Sequence, residues 1–187
     1  FNPTIAKGGD RIYFSADFPK KSFGGRDIWY IDRGKATDNT RWKMPENASD
    51  SIIPMNSNAR DDYAWCYNDT LLYFASTRGG GYGGLDIYVS RLKTITREST
   101  DTTTGQVNKE ELEIWDTPVH LDSVFNSSSN DYNLIGSPKI CLFMSNRTGG
   151  KGSDDIYRPA PFVATREPEL VPDFTIDEPK GFHWVLM

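Results

Sequence analysis

The chain has 187 residues, with 21 Lys and Arg against 26 Asp and Glu, a formal net charge of −5 and an aromatic content of 13%. Its basic residues are scattered, so the clustered positive footprint needed to bind a phosphate backbone is missing, and nucleic acid is excluded as a partner. Gly, Asn, Asp, Ser and Thr are abundant, and no long stretch carries apolar residues at helical spacing, which points to an all-β protein of short strands and many turns.

The sequence begins at Phe1 rather than Met and contains neither an apolar run of about 18 residues nor a secretory leader pattern. It is expected to be a mature, trimmed or excerpted product. The first predicted element is a hairpin near 11–31, with a strand "RIYFSAD" and a loop "FGGRDIWY" that runs into a second strand. A segment "RWKMPENASDSIIPMNSNARDDY" at 41–63 leads to a strand "YAWCYN" and then to a second hairpin near 71–90, "LLYFAST" followed by "YGGLDIYV". The stretch 93–113 is polar and charged without apolar periodicity, and is expected to be a surface insertion. Residues 114–132, "IWDTPVHLDSVFNSSSNDY", precede a strand "YNLIG" and a third hairpin near 140–158, "CLFMSNR" followed by "KGSDDIYR". Residues 162–187 are rich in Pro and acidic groups, and are expected to be a linker or the start of a following segment.

The three hairpins are copies of one another. Asp27, Asp86 and Asp155 stand at intervals of 59 and 69 residues, each in an Asp-Ile-aromatic step preceded by an aromatic strand anchored on Phe14, Phe74 or Phe143. The second and third copies also share Trp-x-x-Pro, with Trp42 and Trp115 at one position, then an Asn-Ser pair and an Asp-Tyr step. Each full unit therefore reads as an aromatic strand, an Asn/Ser loop, a middle strand, the Phe strand and the Asp-Ile-Tyr strand. Four antiparallel strands per unit predict a β-propeller of four-stranded blades over 1–161. About three repeats are present, the first incomplete, so the chain is expected to be part of a larger propeller. Strands packed on both faces would explain the runs "IYF", "LLYF" and "CLFM". The pairs Gly24-Gly25 and Gly83-Gly84 are expected to supply positive φ. The three aspartates are expected to accept backbone N–H bonds from their turns. Arg78 and Arg147 occupy equal positions; they read either as an ion pair within each blade or as two guanidiniums lining a face for an anionic ligand.

The pattern Trp-x-x-Pro, Asn-Ser, Asp-Tyr and then "LLYFASTRGGGYGGLDIYVS" resembles the WD40-like β-propeller repeat of TolB and of OmpA-associated envelope proteins in Gram-negative bacteria. The likeness covers roughly 1–161, and the first copy departs from it, with Asp17-Phe18 where the others have Thr77-Arg78 and Asn146-Arg147. The resemblance implies a non-enzymatic binding and scaffolding module in the periplasm or attached to the outer membrane, in the neighbourhood of Tol-Pal, lipoprotein and peptidoglycan-anchoring partners or of type IX secretion. Membrane association would be indirect. The expected contact residues are the loop positions Phe23, Tyr82 and Lys151 with Arg78 and Arg147, while Asp27, Asp86, Asp155, Trp42 and Trp115 are expected to be structural.

Other chemistry is thinly represented. "GGGYGG" lacks the Lys-Ser/Thr step and following helix of a phosphate loop. His120 and His183 have no ligand partner at metal spacing, no Gly-x-Ser-x-Gly elbow occurs, and "SSSNDYN" lacks the alternating carboxylates of a calcium loop. No cofactor or catalytic residue is therefore expected. The rival reading is the accessory propeller of a peptidase or carbohydrate-active enzyme, which would show an unrepeated acidic pair or nucleophile. Cys66 and Cys141 lie in apolar runs and read as free buried thiols rather than a disulfide. Asn-x-Ser/Thr sequons at Asn47, Asn68, Asn126 and Asn146 are expected by chance. Asp-Ser/Thr steps at Ser51, Thr70, Thr102 and Ser123 resemble an O-glycosylation signal of some periplasmic systems.

Overall fold

A computed structural model describes residues 1–34, 42–48, 55–100, 104–137, 140–159 and the pair 185–186. Regular structure in these residues is β, apart from one 3-10 turn at Lys7–Gly9. The first antiparallel sheet runs β1 (Thr4–Ala6), β2 (Arg11–Ala16), β3 (Asp27–Asp32) and β4 (Glu46–Asn47) in spatial order. The second runs β5 (Asp61–Tyr67), β6 (Leu71–Ser76), β7 (Asp86–Thr100) and β8 (Val107–Trp115), with β9 (Val119–His120) also paired to β7. The third runs β10 (Asp131–Ser137), β11 (Ile140–Ser145), β12 (Asp155–Arg158) and β13 (Val185–Leu186). None of the three sheets closes on itself.

Register shows how the repeat is laid down. Asp27, Asp86 and Asp155 lie opposite Ala16, Ser76 and Ser145, and Trp29, Tyr88 and Tyr157 lie opposite Phe14, Phe74 and Phe143. The segment after each Trp-x-x-Pro does not open its own sheet. It adds the outer strand to the sheet before: β4 pairs Trp29 and Tyr30 of β3, and β9 pairs Tyr88 and Val89 of β7. The sheets are thus offset by one strand from the units read in the sequence, and consecutive sheets are tied by the chain that leaves one to enter the next. Trp42 bridges Arg33 and Trp115 pairs Leu92, each six residues beyond its aspartate.

The middle strands carry a β-bulge at the same place. Pairing shifts between Asp62 and Trp65 and between Tyr132 and Ile135, and Tyr63 and Asn133 take positive φ of 57° and 54°. In the first sheet Phe1 exchanges both backbone bonds with Ser15, and Asn2 follows at φ 48°. The bulge corrects the sequence alignment by one residue: Asp61, not Asp62, is the counterpart of Asp131, because both stand five residues after the asparagines Asn56 and Asn126.

Side-chain alternation separates two cores. Ala6, Tyr13, Ile28, Met55, Leu72, Phe74, Tyr88 and Trp115 pack between the first and second sheets, and Tyr73, Ile87, Val89, Leu134, Cys141, Phe143 and Tyr157 between the second and third. Every residue of β6 is buried, since both its faces are covered. By contrast β2 buries Tyr13 and Ser15 but only half-buries Phe14, and β11 buries Cys141, Phe143 and Ser145 while Ile140 is exposed. The expectation of strands packed on both faces therefore holds for the middle copy alone. Each fully buried large side chain contributes about 1.5–3 kcal/mol.

The described residues of the insertion at 93–113 form a two-stranded arm. β7 continues past the sheet to Thr100 and pairs residue for residue with β8, from Leu92 opposite Trp115 to Thr100 opposite Val107. Its stability comes from cross-strand partners: Arg97 faces Glu110, Glu98 faces Lys109, and Ile95 faces Leu112. Such pairs leave no apolar stripe to read. Of the expected linker at 162–187, only Val185 and Leu186 lie within the described residues, and they pair with Arg158 and Tyr157.

Both cysteines are free and buried. Desolvation pushes each thiol up to about 11, so neither forms appreciable thiolate at neutral pH. Native protein should react with a thiol reagent far more slowly than protein in denaturant, which should titrate both cysteines. Prompt modification of either in native buffer would contradict the packing.

Candidate binding loops

Each repeat hairpin turns through a loop that ends on its aspartate. The Asp27 carboxylate accepts the N–H of Phe23 at 2.7 Å and the side-chain amide of Asn47 at 2.8 Å. The Asp155 carboxylate accepts the N–H groups of Lys151 and Gly152 at 2.9 and 3.2 Å, and Asp86 accepts that of Gly83 at 3.1 Å. Asp27 and Asp86 are almost wholly buried. These carboxylates fix the turn and the entry of the last strand, as an Asx-type turn does.

The glycines serve a different purpose from the one expected. Gly24, Gly25, Gly83 and Gly84 do not have positive φ; Gly80 and Gly149 do, at 92° and 95°. At Gly24 a Cβ would run into the backbone oxygen of Ala59, and at Gly83 into that of Ser129. The requirement is close approach: the turn of one sheet presses against the Asn/Ser loop that enters the next.

Arg78 and Arg147 sit inside the sheets in superimposable networks. Arg78 donates through Nη2 to Asp61 Oδ1 at 2.7 Å and to the Met55 carbonyl at 2.8 Å, and through Nε to Ser76 Oγ at 3.0 Å. Arg147 repeats this with Asp131, Phe125 and Ser145 at 2.6, 2.8 and 2.9 Å. Asp61 and Asp131 are fully buried, and each guanidinium lies over two rings, Phe74 and Tyr88 or Phe143 and Tyr157. This geometry is an ion pair within each unit, and a guanidinium committed in this way has little to offer an anion. The first copy, with Ala16 and Phe18 in place of the Ser and Arg, instead packs Phe18 edge-on against Trp29 with centroids 4.7 Å apart.

Asn56 and Asn126 are the residues whose role the sequence did not disclose. Asn56 accepts the Ile28 N–H and donates to the Ile28 carbonyl, at 2.8 and 2.9 Å. Asn126 does the same to Ile87 at 2.7 and 3.0 Å and also donates to the Leu121 carbonyl. Each side chain therefore reads one sheet's backbone from the loop that starts the next sheet. The recurring Asn-Ser pair was the available signal, and a recurrent polar residue in an apolar setting marks a buried bond.

In each repeat loop the variable position lies on the surface. Phe23 and Tyr82 are 56% and 54% exposed, and Lys151 is exposed at the equivalent place. Tyr82 stands edge-on to His120, with centroids 4.7 Å apart. At the start of the second sheet, burial works against the Asp62 carboxylate, but bonds from Arg60 and Arg26 outweigh it and hold its pKa below the ordinary value. Trp42 is 38% exposed beneath the Arg33 guanidinium, whereas Trp115 is buried edge-on to Tyr13. Among the sequons, Asn126 is buried and Asn47 is bonded to Asp27, while Asn68 and Asn146 are exposed. Thr70 and Ser123 are exposed; Ser51, Thr102 and His183 lie outside the described residues. No group of His, Cys, Asp and Glu able to hold a metal occurs among the described residues.

Compared with known proteins, the chain matches no family model and no curated sequence.

Proposed function

We propose that these sheets are consecutive blades of a β-propeller and that the chain is a non-enzymatic binding and scaffolding module of a periplasmic or outer-membrane-associated complex. One observation carries the reading: every recurrent polar residue of the repeat is committed to backbone or to its neighbouring sheet, which leaves the non-recurrent loop residues as the variable surface. A rigid stack that presents Phe23, Tyr82 and Lys151 from equivalent turns suits recognition of a protein or peptide surface, with exposed aromatics as anchors. The envelope setting rests on the resemblance of the repeat to that of TolB.

Cross-linking and capture from Gram-negative envelope fractions tests this. The native chain should enrich specific envelope proteins, and a Phe23→Ser, Tyr82→Ser, Lys151→Glu triple variant with unchanged unfolding should lose them. Capture that is equal for both proteins would remove these loops from the interface, and capture of nothing would favour a structural spacer.

A further inference from the structure

We propose that the edge of the third sheet formed by Gly152, Asp154 and Ile156 is a docking site for one more loop-and-strand segment bearing an apolar-Asn-Ser-x-x-x-Asp motif. It rests on the repeat geometry alone and does not depend on where the protein acts.

The molecule holds two occupied copies of this site. In the first, the loop of Asn56 lies on Gly24, the carbonyl of Arg26 accepts the Asp61 N–H at 2.7 Å, and Asn56 brackets the backbone of Ile28. In the second, the loop of Asn126 lies on Gly83, the carbonyl of Leu85 accepts the Asp131 N–H at 2.7 Å, and Asn126 brackets Ile87. Gly152, Asp154 and Ile156 hold the same three positions relative to Asp155.

Ile156 lies opposite Met144, the ladder position of Ile87 opposite Ala75 and Ile28 opposite Ser15, so its N–H and C=O turn away from β11 in the same sense. Yet among the described residues nothing occupies the third site. Ile28 and Ile87 are 0% and 1% exposed, while Ile156 is 43% exposed. A Cβ on Gly152 would have as its nearest neighbour Asp154 of its own loop, at 3.6 Å. The outer strand is already in place, because β13 sits opposite Tyr157 and Arg158 as β4 does opposite Trp29 and Tyr30. The missing parts are the asparagine loop and the strand after it, and the exposed Ile135, Ile140 and Ile156 are the apolar face on which that strand would stack.

Complementarity fixes the occupant. The motif occurs twice in the sequence, at Met55 to Asp61 and Phe125 to Asp131, and both occurrences are already seated on Ile28 and Ile87. A second copy of this chain therefore has none to offer, and the occupant is a further repeat from outside this sequence.

The test uses a peptide of residues 124–137 as the probe and amide NMR shifts of the labelled full chain as the readout. Saturable shifts should appear at Gly152 and Ile156. A peptide with Ala in place of its Asn126 should bind at least about tenfold more weakly, since it leaves the Ile156 N–H covered but unpaired. Gly152→Val should leave thermal unfolding unchanged and abolish binding, whereas Gly83→Val should destabilise the chain. Absence of saturable shifts, equal binding by the Ala peptide, or undiminished binding to the Gly152→Val protein would each overturn the proposal. So would a dimer of the chain that Gly152→Val dissociates, because it would seat a second copy on this edge.

Discussion

Arg78→Ala should lower the unfolding free energy by about 3–5 kcal/mol, read from urea denaturation at neutral pH. The size follows from what is left behind. Asp61 is fully buried; its Oδ2 keeps the Ser57 N–H and hydroxyl at 2.5 and 2.9 Å, but Oδ1 loses its cation and the Met55 carbonyl loses its donor. Arg78→Lys should recover only a minor part, since one ammonium cannot replace both the Nε bond to Ser76 and the Nη2 bonds while lying flat over Phe74 and Tyr88. Replacing both partners, Arg78→Met with Asp61→Ala, should cost less than Arg78→Ala alone, because removing both charges leaves none stranded. A cost for Arg78→Ala below about 1 kcal/mol would show that the pair is not desolvated as described.

Asn126→Ala should cost about 2–4 kcal/mol, as it orphans the buried Ile87 N–H and opens a small cavity. Asn126→Asp gives the decisive sign. If the side chain merely filled space, Asp would be milder than Ala. Here the Nδ2 position faces the carbonyls of Ile87 and Leu121 at 3.0 and 2.8 Å, so a carboxylate would set an acceptor against two acceptors in a buried place. Asp should therefore be at least as damaging as Ala at neutral pH, and should regain stability under acid once the carboxyl can donate. Amide exchange at Ile87 should accelerate in both variants. Retained protection there in the Ala variant would place the bond elsewhere.

Much of the fold could be read from the chain because the repeat marks itself with residues that have few substitutes. An aspartate that collects turn N–H groups and an aromatic across the ladder recur in all three copies, with a glycine three residues before each aspartate, and that pattern located the three repeat hairpins. The offset between unit and sheet was not legible, since a two-residue outer strand such as Glu46–Asn47 has no period of its own and is set by the strand it meets. The arm at β7 and β8 escaped for a related reason: its pairs are charged and opposed across strands, a pattern visible only once register is known. The purpose of Gly24 and Gly83 was hidden as well, because the obstacle they avoid belongs to the next sheet. At the candidate site, the aspartates could be assigned from turn chemistry, whereas the two asparagines act over 28 and 39 residues and needed the packing to be seen.

The double coverage of the middle sheet has an effect on how damage spreads. Elements of the first and third sheets meet the second but, among the described residues, not each other. Stability in such a row is passed hand to hand: each interface is felt by its two members and reaches further only through them. A lesion in an outer sheet can stay a local injury, but one in β6 loosens both interfaces at once. The same arithmetic makes Leu72, Tyr73 and Phe74 the places in this chain with least room to change.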